Sequence, residues 1–121
     1  ERGWGVRRTV PRDYVRDRPV FLGTMRTGPD LTNVGVRLQD AVWHHKHLFN
    51  PQAMVAWSLM PPHRFLYRVQ PVRNGRPHPD GFTLEGIPEG HEIVPTQEAK
   101  ALVAYLLSLK RNYPLDEAPV E

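Results

Sequence analysis

The placement of proline and glycine most constrains what this chain can fold into. The 121 residues include 13 prolines and 9 glycines, a larger share than the roughly 12% that is usual in globular domains. Proline fixes φ and removes an amide donor, and an ordered glycine loses more conformational freedom than other residues. Residues 1–30 are therefore expected to form an extended loop arm. Residues 68–95 are expected to form a long loop, with a short hairpin around Asn74-Gly75.

The middle of the chain carries the pattern of a helix. Asp40 is a favoured N-cap residue, so the sequence predicts a helix over Ala41–Phe49. Asn50-Pro51 ends this helix, because a residue before proline disfavours the α conformation. Proline also suits the first turn of a new helix, and a second short helical turn is expected to run to about Trp57.

A second helix is expected near the end of the chain, over residues 96–111. Thr96 suits the N-cap, Lys110 and Arg111 suit the negative C-terminal end, and Pro114 prevents continuation. The apolar residues at helical spacing form the expected buried stripe: Ala99, Leu102, Val103, Leu106 and Leu109.

The charge of the chain is mildly basic and unevenly distributed. The formal net charge is +3, and residues 1–20 are rich in arginine. A basic arm of this kind docks on an acidic partner or on lipid headgroups, or is simply solvated. Nucleic-acid binding is not expected, because only Trp4 and Tyr14 are interleaved with the arginines. No apolar run reaches the roughly 20 residues of a membrane-spanning helix.

The common catalytic motifs are missing from the sequence. There is no cysteine, no glycine-rich phosphate loop and no Gly-x-Ser-x-Gly elbow. Ser58 and Ser108 are the only serines, and neither has the setting of a nucleophile. No pair of carboxylates has a spacing that favours acid–base catalysis. The sequence therefore does not predict an enzyme.

Met60 is the residue with the most informative setting. A thioether is a soft, weak ligand of haem iron, and such a ligand needs a stiff loop. Pro61-Pro62 supplies stiffness by fixing two successive φ angles. Met25 and Met54 lack this frame. The alternative is a core methionine beside a proline turn.

The histidines favour a metal site much less. His44 and His47 lie on one face of the expected helix, but no cysteine or nearby carboxylate pair completes a zinc site. His63, His78 and His91 lie in polar loops and are expected to be exposed to solvent.

Four motifs in a fixed order give the chain a family resemblance. Arg26-Thr27-Gly28-Pro29-Asp30-Leu31 is followed by Trp43-His44, by His47-Leu48-x-Asn50-Pro51 and by Ser58-x-Met60-Pro61-Pro62. In this order they resemble the C-terminal part of a class I c-type cytochrome domain, and in particular the mono-haem subunit of cbb-type haem-copper oxidases. The resemblance implies a single, mainly α, loop-rich domain over residues 1–121, in which residues 40–62 contain a helix and the methionine-ligand loop.

The resemblance also implies a cofactor, haem c, and a role for each matching residue. Met60 would be the distal iron ligand, and the carbonyl of Pro29 would accept the Nδ1–H of the proximal histidine. Arg26 would meet a haem propionate. The same cofactor-binding set includes three further residues, Gly28, Leu31 and Trp43.

The departure from the family is the Cys-x-x-Cys-His attachment segment, which carries the first helix and the proximal histidine. We expect this segment upstream of Glu1. The resemblance then implies an electron carrier of a respiratory chain on the periplasmic or extracytoplasmic face of a bacterial inner membrane. Its partners would be haem-copper oxidase subunits or another redox protein, with membrane association only through a missing N-terminal anchor or a partner subunit. The alternative is a haemless protein–protein interaction module derived from a cytochrome c domain.

Overall fold

The computed structural model describes residues 9–20, 27–111, 113 and 115–117. These residues belong to two compact units. Unit 2 is residues 40–105, and unit 1 contains the described residues before and after it. Predictions that concern Trp4, Met25 and Arg26 therefore fall outside the described residues.

Two consecutive helices open unit 2. Helix α2 covers Ala41–Phe49, and the Oδ1 atom of Asp40 caps it by accepting from the amide of Val42 at 2.9 Å. Asn50 has extended backbone, and Pro51 opens the single turn α3, Pro51–Met54. The sequence predicted the start of α3, but the turn ends three residues before Trp57. Its C-cap residue Val55 has already left the helical conformation.

A small antiparallel sheet follows in unit 2. Strand β1 (Tyr67–Pro71) pairs with β2 (His91–Pro95) in the register Tyr67↔Pro95 to Pro71↔His91. On the other edge of β2, Phe82 and Ile93 exchange two backbone hydrogen bonds of 3.0 and 2.8 Å. Ile93 is consequently held from both sides and is completely buried.

Helix α4 covers Gln97–Ser108. Thr96 caps it as expected, since its Oγ1 accepts from the amide of Ala99 at 3.3 Å, and it also donates to the carbonyl of Leu66 at 2.8 Å. Ala99 and Val103 are buried one turn apart, whereas the rest of the predicted stripe is half-buried. The helix stops before Lys110, three residues short of the expected end.

Unit 1 is organised by polar contacts around short turns. Its regular elements before residue 40 are a 3-10 turn, Pro11–Tyr14, and the single helical turn α1, Val34–Arg37. The amide of Gly35 donates to the carbonyl of Leu109 at 3.0 Å, and a Cβ at Gly35 would collide with the carbonyl of Leu107. Glycine is therefore required for this close backbone approach.

The described part of the chain is mixed α and β rather than mainly α. Residues 68–95 are not only a loop, because they contain most of β1 and all of β2. The turn at Asn74-Gly75 exists, with positive φ at both residues and a bridge between Arg73 and Arg76. The two strands, however, pair across the much longer connection around that turn. Within the described residues, no helix combines the length and the hydropathy that crossing a membrane requires.

Candidate functional site

Met60 lies in a loop of unit 2 that we call the Met60 loop, residues 55–63, between α3 and a 3-10 turn, Arg64–Leu66. Its first half continues from α3 through short-range hydrogen bonds. The amide of Val55 donates to the carbonyl of Pro51 at 2.9 Å, and the amide of Ser58 donates to that of Val55 at 2.9 Å. The far end is tied to α2, where the amide of His63 donates to the carbonyl of Leu48 at 2.7 Å. Both ends of the loop are therefore anchored to helices.

Both the backbone amide and the backbone carbonyl of Met60 form hydrogen bonds. Its amide donates to the Oγ of Ser58 at 3.2 Å. Its carbonyl accepts from the Nε2 of Gln52 at 3.0 Å, and the same Nε2 donates to the carbonyl of Ser58 at 2.9 Å. The Met60 residue is partly buried. Pro61 and Pro62 follow it, as the stiff frame predicted from the sequence requires.

Large apolar side chains around Met60 face solvent. Trp57, Leu59 and Phe65, which we call the exposed apolar set, are 84%, 83% and 78% exposed. Isolated apolar side chains on a surface are ordinary. Here three occur within nine residues, on both sides of one methionine, so a considerable apolar surface near Met60 is in contact with water.

Trp43 and its neighbouring histidines lie on α2. The Trp43 ring stacks on His47, with ring centroids 4.7 Å apart, and meets His44 edge to face at 5.4 Å. His44 is buried. Burial, and then the nearby His44 and His63, lower the pKa of His47 and favour its neutral ring.

His63 differs from the sequence expectation. It was expected in solvent, yet the residue is only partly exposed, and its Nδ1 is buried without a hydrogen-bond partner. His91 is also partly buried, because it lies in β2, whereas His78 is exposed as predicted. The burial of His91 follows from its place in a strand, whereas His63 is in a loop whose end is bonded to α2.

A second group of rings is packed inside unit 2. We call His45, Phe49, Tyr67 and Phe82 the aromatic core set. Tyr67 meets Phe49, His45 and Phe82 edge to face at 5.7, 5.7 and 5.9 Å between ring centroids. The Nδ1 of His45 lies 2.9 Å from the hydroxyl oxygen of Tyr67. Burial raises the pKa of Tyr67, so the phenol stays neutral and is able to donate to that nitrogen.

Glu92 is a buried carboxylate that the sequence analysis did not single out. It is 3% exposed, and its Oε2 accepts from the amide of His78 at 2.8 Å. The amide side chain of Gln70 donates to its Oε1 at 3.4 Å. The first bond holds the backbone at His78 against β2 and the second joins β1 to β2, which indicates a structural role for Glu92. Glu92 and Ile93 are both buried, so no alternation of polar and apolar positions marked this carboxylate in the sequence.

The predicted residues of unit 1 surround Asp30. Its side chain accepts from Thr9 Oγ1, Thr32 Oγ1 and the Thr32 amide at 2.6, 2.6 and 2.9 Å. This carboxylate fixes the turn in which Gly28, Pro29 and Leu31 lie, and those three are exposed. Within the described residues no hydrogen bond uses the carbonyl of Pro29. The fourth predicted residue of this motif, Arg26, lies outside the description.

The residues present fit one part of a haem c site. The anchored Met60 offers a thioether, and the exposed apolar set offers surface for an apolar ring. The thioether attachments would have to come from residues outside these 121, since the sequence has no cysteine. Within the described ranges, no group of three His, Asp or Glu side chains is able to hold a separate metal ion.

The chain is similar to a known protein family. The family model described as cytochrome C oxidase, mono-heme subunit/FixO matches residues 4–74. The matched region is 71 of the 121 residues and contains α1 to α3, the Met60 loop and β1. No curated protein matches the chain, and no solved structure matches it.

Proposed function

Because the chain belongs to the mono-haem subunit (FixO) family of cytochrome c oxidase, we propose that it is an electron-transfer part of that subunit, with a cytochrome c-like fold. Haem c, when bound, would supply the chemistry by accepting and releasing one electron. The chain itself makes and breaks no bonds of a substrate. We propose that it works on the extracytoplasmic face of the inner membrane, beside haem-copper oxidase subunits or another redox protein.

The observation that carries the proposal is the anchored Met60 loop. A thioether binds iron weakly and raises the potential of the iron when it does. Both backbone polar groups of Met60 are hydrogen-bonded within the loop or to Gln52, and proline follows. This arrangement supports Met60 as the distal ligand, because a weak ligand gains most from being held in place before it binds.

The surroundings of Met60 support the same proposal. The side chains of Trp57, Leu59 and Phe65 leave apolar surface in water, and an apolar ring beside Met60 would remove part of that surface from solvent. The ring of Trp43 stacks on that of His47 in the same helix. We propose Trp43 as a further haem contact. The family resemblance is the basis of the roles proposed for four further residues, Arg26, Gly28, Pro29 and Leu31.

The proposal is tested on the protein purified from its native source, by its intact mass and visible spectrum. A mass above that of these 121 residues, with covalently bound haem and a low-spin spectrum, is the expected result. Replacement of Met60 by leucine should then change the spectrum and lower the midpoint potential, because the thioether is lost. A protein of the bare chain mass with no visible absorbance would refute the proposal.

The second candidate is a haemless interaction module that retains the fold. It is favoured by one observation, the exposure of Trp57, Leu59 and Phe65. In that case the exposed apolar set would contact a partner protein directly. The spectrum of the native protein separates the two candidates, since only the first absorbs in the visible range.

A further inference from the structure

Gln52 holds the Met60 loop from outside it. The residue lies in α3, and its side-chain nitrogen donates to the carbonyls of Ser58 and Met60 at 2.9 and 3.0 Å. Among the described residues, it is the one side chain outside the loop that forms a hydrogen bond to residues 55–63. One amide group therefore ties two peptide units of the loop to the helix turn before it.

The geometry restricts how Met60 is able to move. The Gln52 side chain fixes the Met60 carbonyl, Ser58 Oγ fixes the Met60 amide at 3.2 Å, and Pro61 has a fixed φ. These restraints act on the backbone of Met60, while its side-chain torsions remain free. Gln52 therefore links the position of the Met60 backbone to α3.

We infer that Gln52 is a positioning residue for Met60, an inference that rests on the proposed function of Met60 as the distal iron ligand. If the Met60 loop became ordered only when Met60 binds the iron, the entropy lost on ordering would weaken the bond between the thioether and the iron. The hydrogen bonds from Gln52 order the loop beforehand and so avoid this cost. Gln52 does not touch the iron. Its removal should make the thioether easier to displace by an external ligand.

The test compares two substitutions in the haem-bearing native protein. Gln52→Glu keeps the shape of the side chain, but an ionised carboxylate is unable to donate to the two carbonyls. Gln52→Lys keeps a donor and is the expected rescue. The control is Gln39→Glu, because the amide of Gln39 is also exposed and donates to one carbonyl, that of Val36, at 3.2 Å.

Two measurements report on the inference. The first is the affinity of the ferric protein for imidazole, which competes with Met60 for the iron. The second is the hydrogen exchange of the Met60 amide, which needs no redox activity. Gln52→Glu should raise both the affinity and the exchange rate about tenfold, as expected for the loss of one to two hydrogen bonds. Gln52→Lys should stay near the wild-type values, and Gln39→Glu should change neither.

The outcomes separate the inference from the proposed function. If Met60→Leu leaves the visible spectrum unchanged, Met60 is not a ligand, and the proposed function fails at this residue. If Met60→Leu changes the spectrum while Gln52→Glu has wild-type imidazole affinity and amide exchange, the inference alone is overturned. Equal effects of the glutamate and lysine variants would also overturn it. Should Gln52→Glu lose its far-UV signal, Gln52→Leu replaces it under the same criteria.

Discussion

Two groups of large side chains in unit 2 have opposite environments. The aromatic core set (His45, Phe49, Tyr67 and Phe82) is packed ring against ring, and Phe49 and Tyr67 are buried. The exposed apolar set (Trp57, Leu59 and Phe65) lies mostly in solvent. The difference shows that packing within unit 2 covers the rings around Tyr67 but not the large apolar side chains near Met60.

The strongest test is alanine substitution of one phenylalanine from each set. Phe49 is 4% exposed, and Arg64 lies over its ring at 5.1 Å. Phe49→Ala should lower the free energy of unfolding by about 3–5 kcal/mol, because it removes packed apolar surface and leaves a cavity. Phe65→Ala is the matched control and should stay within about 0.5 kcal/mol of wild type. Urea unfolding followed by circular dichroism measures both, and equal losses would contradict the comparison.

The second prediction concerns the exposed apolar set in the haem-free 121-residue chain. Its apolar surface should drive self-association. The double variant Trp57→Ser and Phe65→Ser should weaken the association constant about tenfold or more, since both side chains leave water when copies associate. Leu31→Ser, in unit 1, is the control and should have little effect. Sedimentation at several concentrations measures this; a wild-type chain that stays monomeric throughout would show that the set does not attract a second copy.

The third prediction concerns helix α2, which carries His45 and Phe49 and anchors the Met60 loop through the carbonyl of Leu48. Asp40→Ala should cost about 1 kcal/mol of stability, because the amide of Val42 loses its cap. Asp40→Asn should recover most of this loss, since asparagine is an equally good N-cap. Thermal unfolding measures both variants. A loss that asparagine fails to recover would point to the charge of Asp40 rather than to its cap.

The smallest effect is expected in the pH dependence of stability. Burial, followed by the nearby His44 and Lys100, lowers the pKa of His45, while Asp80 opposes the shift. The unfolded chain therefore takes up protons that folded His45 resists. The stability from this residue is complete above about pH 6.5 and falls as the pH is lowered through the depressed pKa. His47 contributes in the same direction, because its pKa is also lowered.

The measurement is the urea midpoint at about pH 7.5 and about pH 5.5. His45→Gln should reduce the difference between the two midpoints. An unchanged difference in His45→Gln would mean that other groups cause the pH dependence.

Local signals were sufficient for α2 and for the starts of α3 and α4. The Asp40 cap and Asn50-Pro51 predicted α2 correctly, and the start of α4 after Thr96 was also predicted, because caps and prolines act within one helical turn. The sequence did not predict the end of α3 or the two strands in residues 67–95. Pairing of β1 with β2 joins residues up to 28 positions apart, from Tyr67 to Pro95. That pairing depends on packing on Ile93 rather than on local propensity.

The features of the candidate site likewise fall into those that the sequence predicts and those that depend on tertiary packing. Met60 with its two prolines, the lack of cysteine and the order of the motifs can be read from the chain, because they are matters of residue identity and spacing. The folded structure was needed to show that Gln52 holds the Met60 carbonyl, that His63 Nδ1 is buried and that Trp57, Leu59 and Phe65 face solvent. Which groups lie within hydrogen-bond distance, and which are covered, depends on how distant segments pack, and no local pattern specifies that.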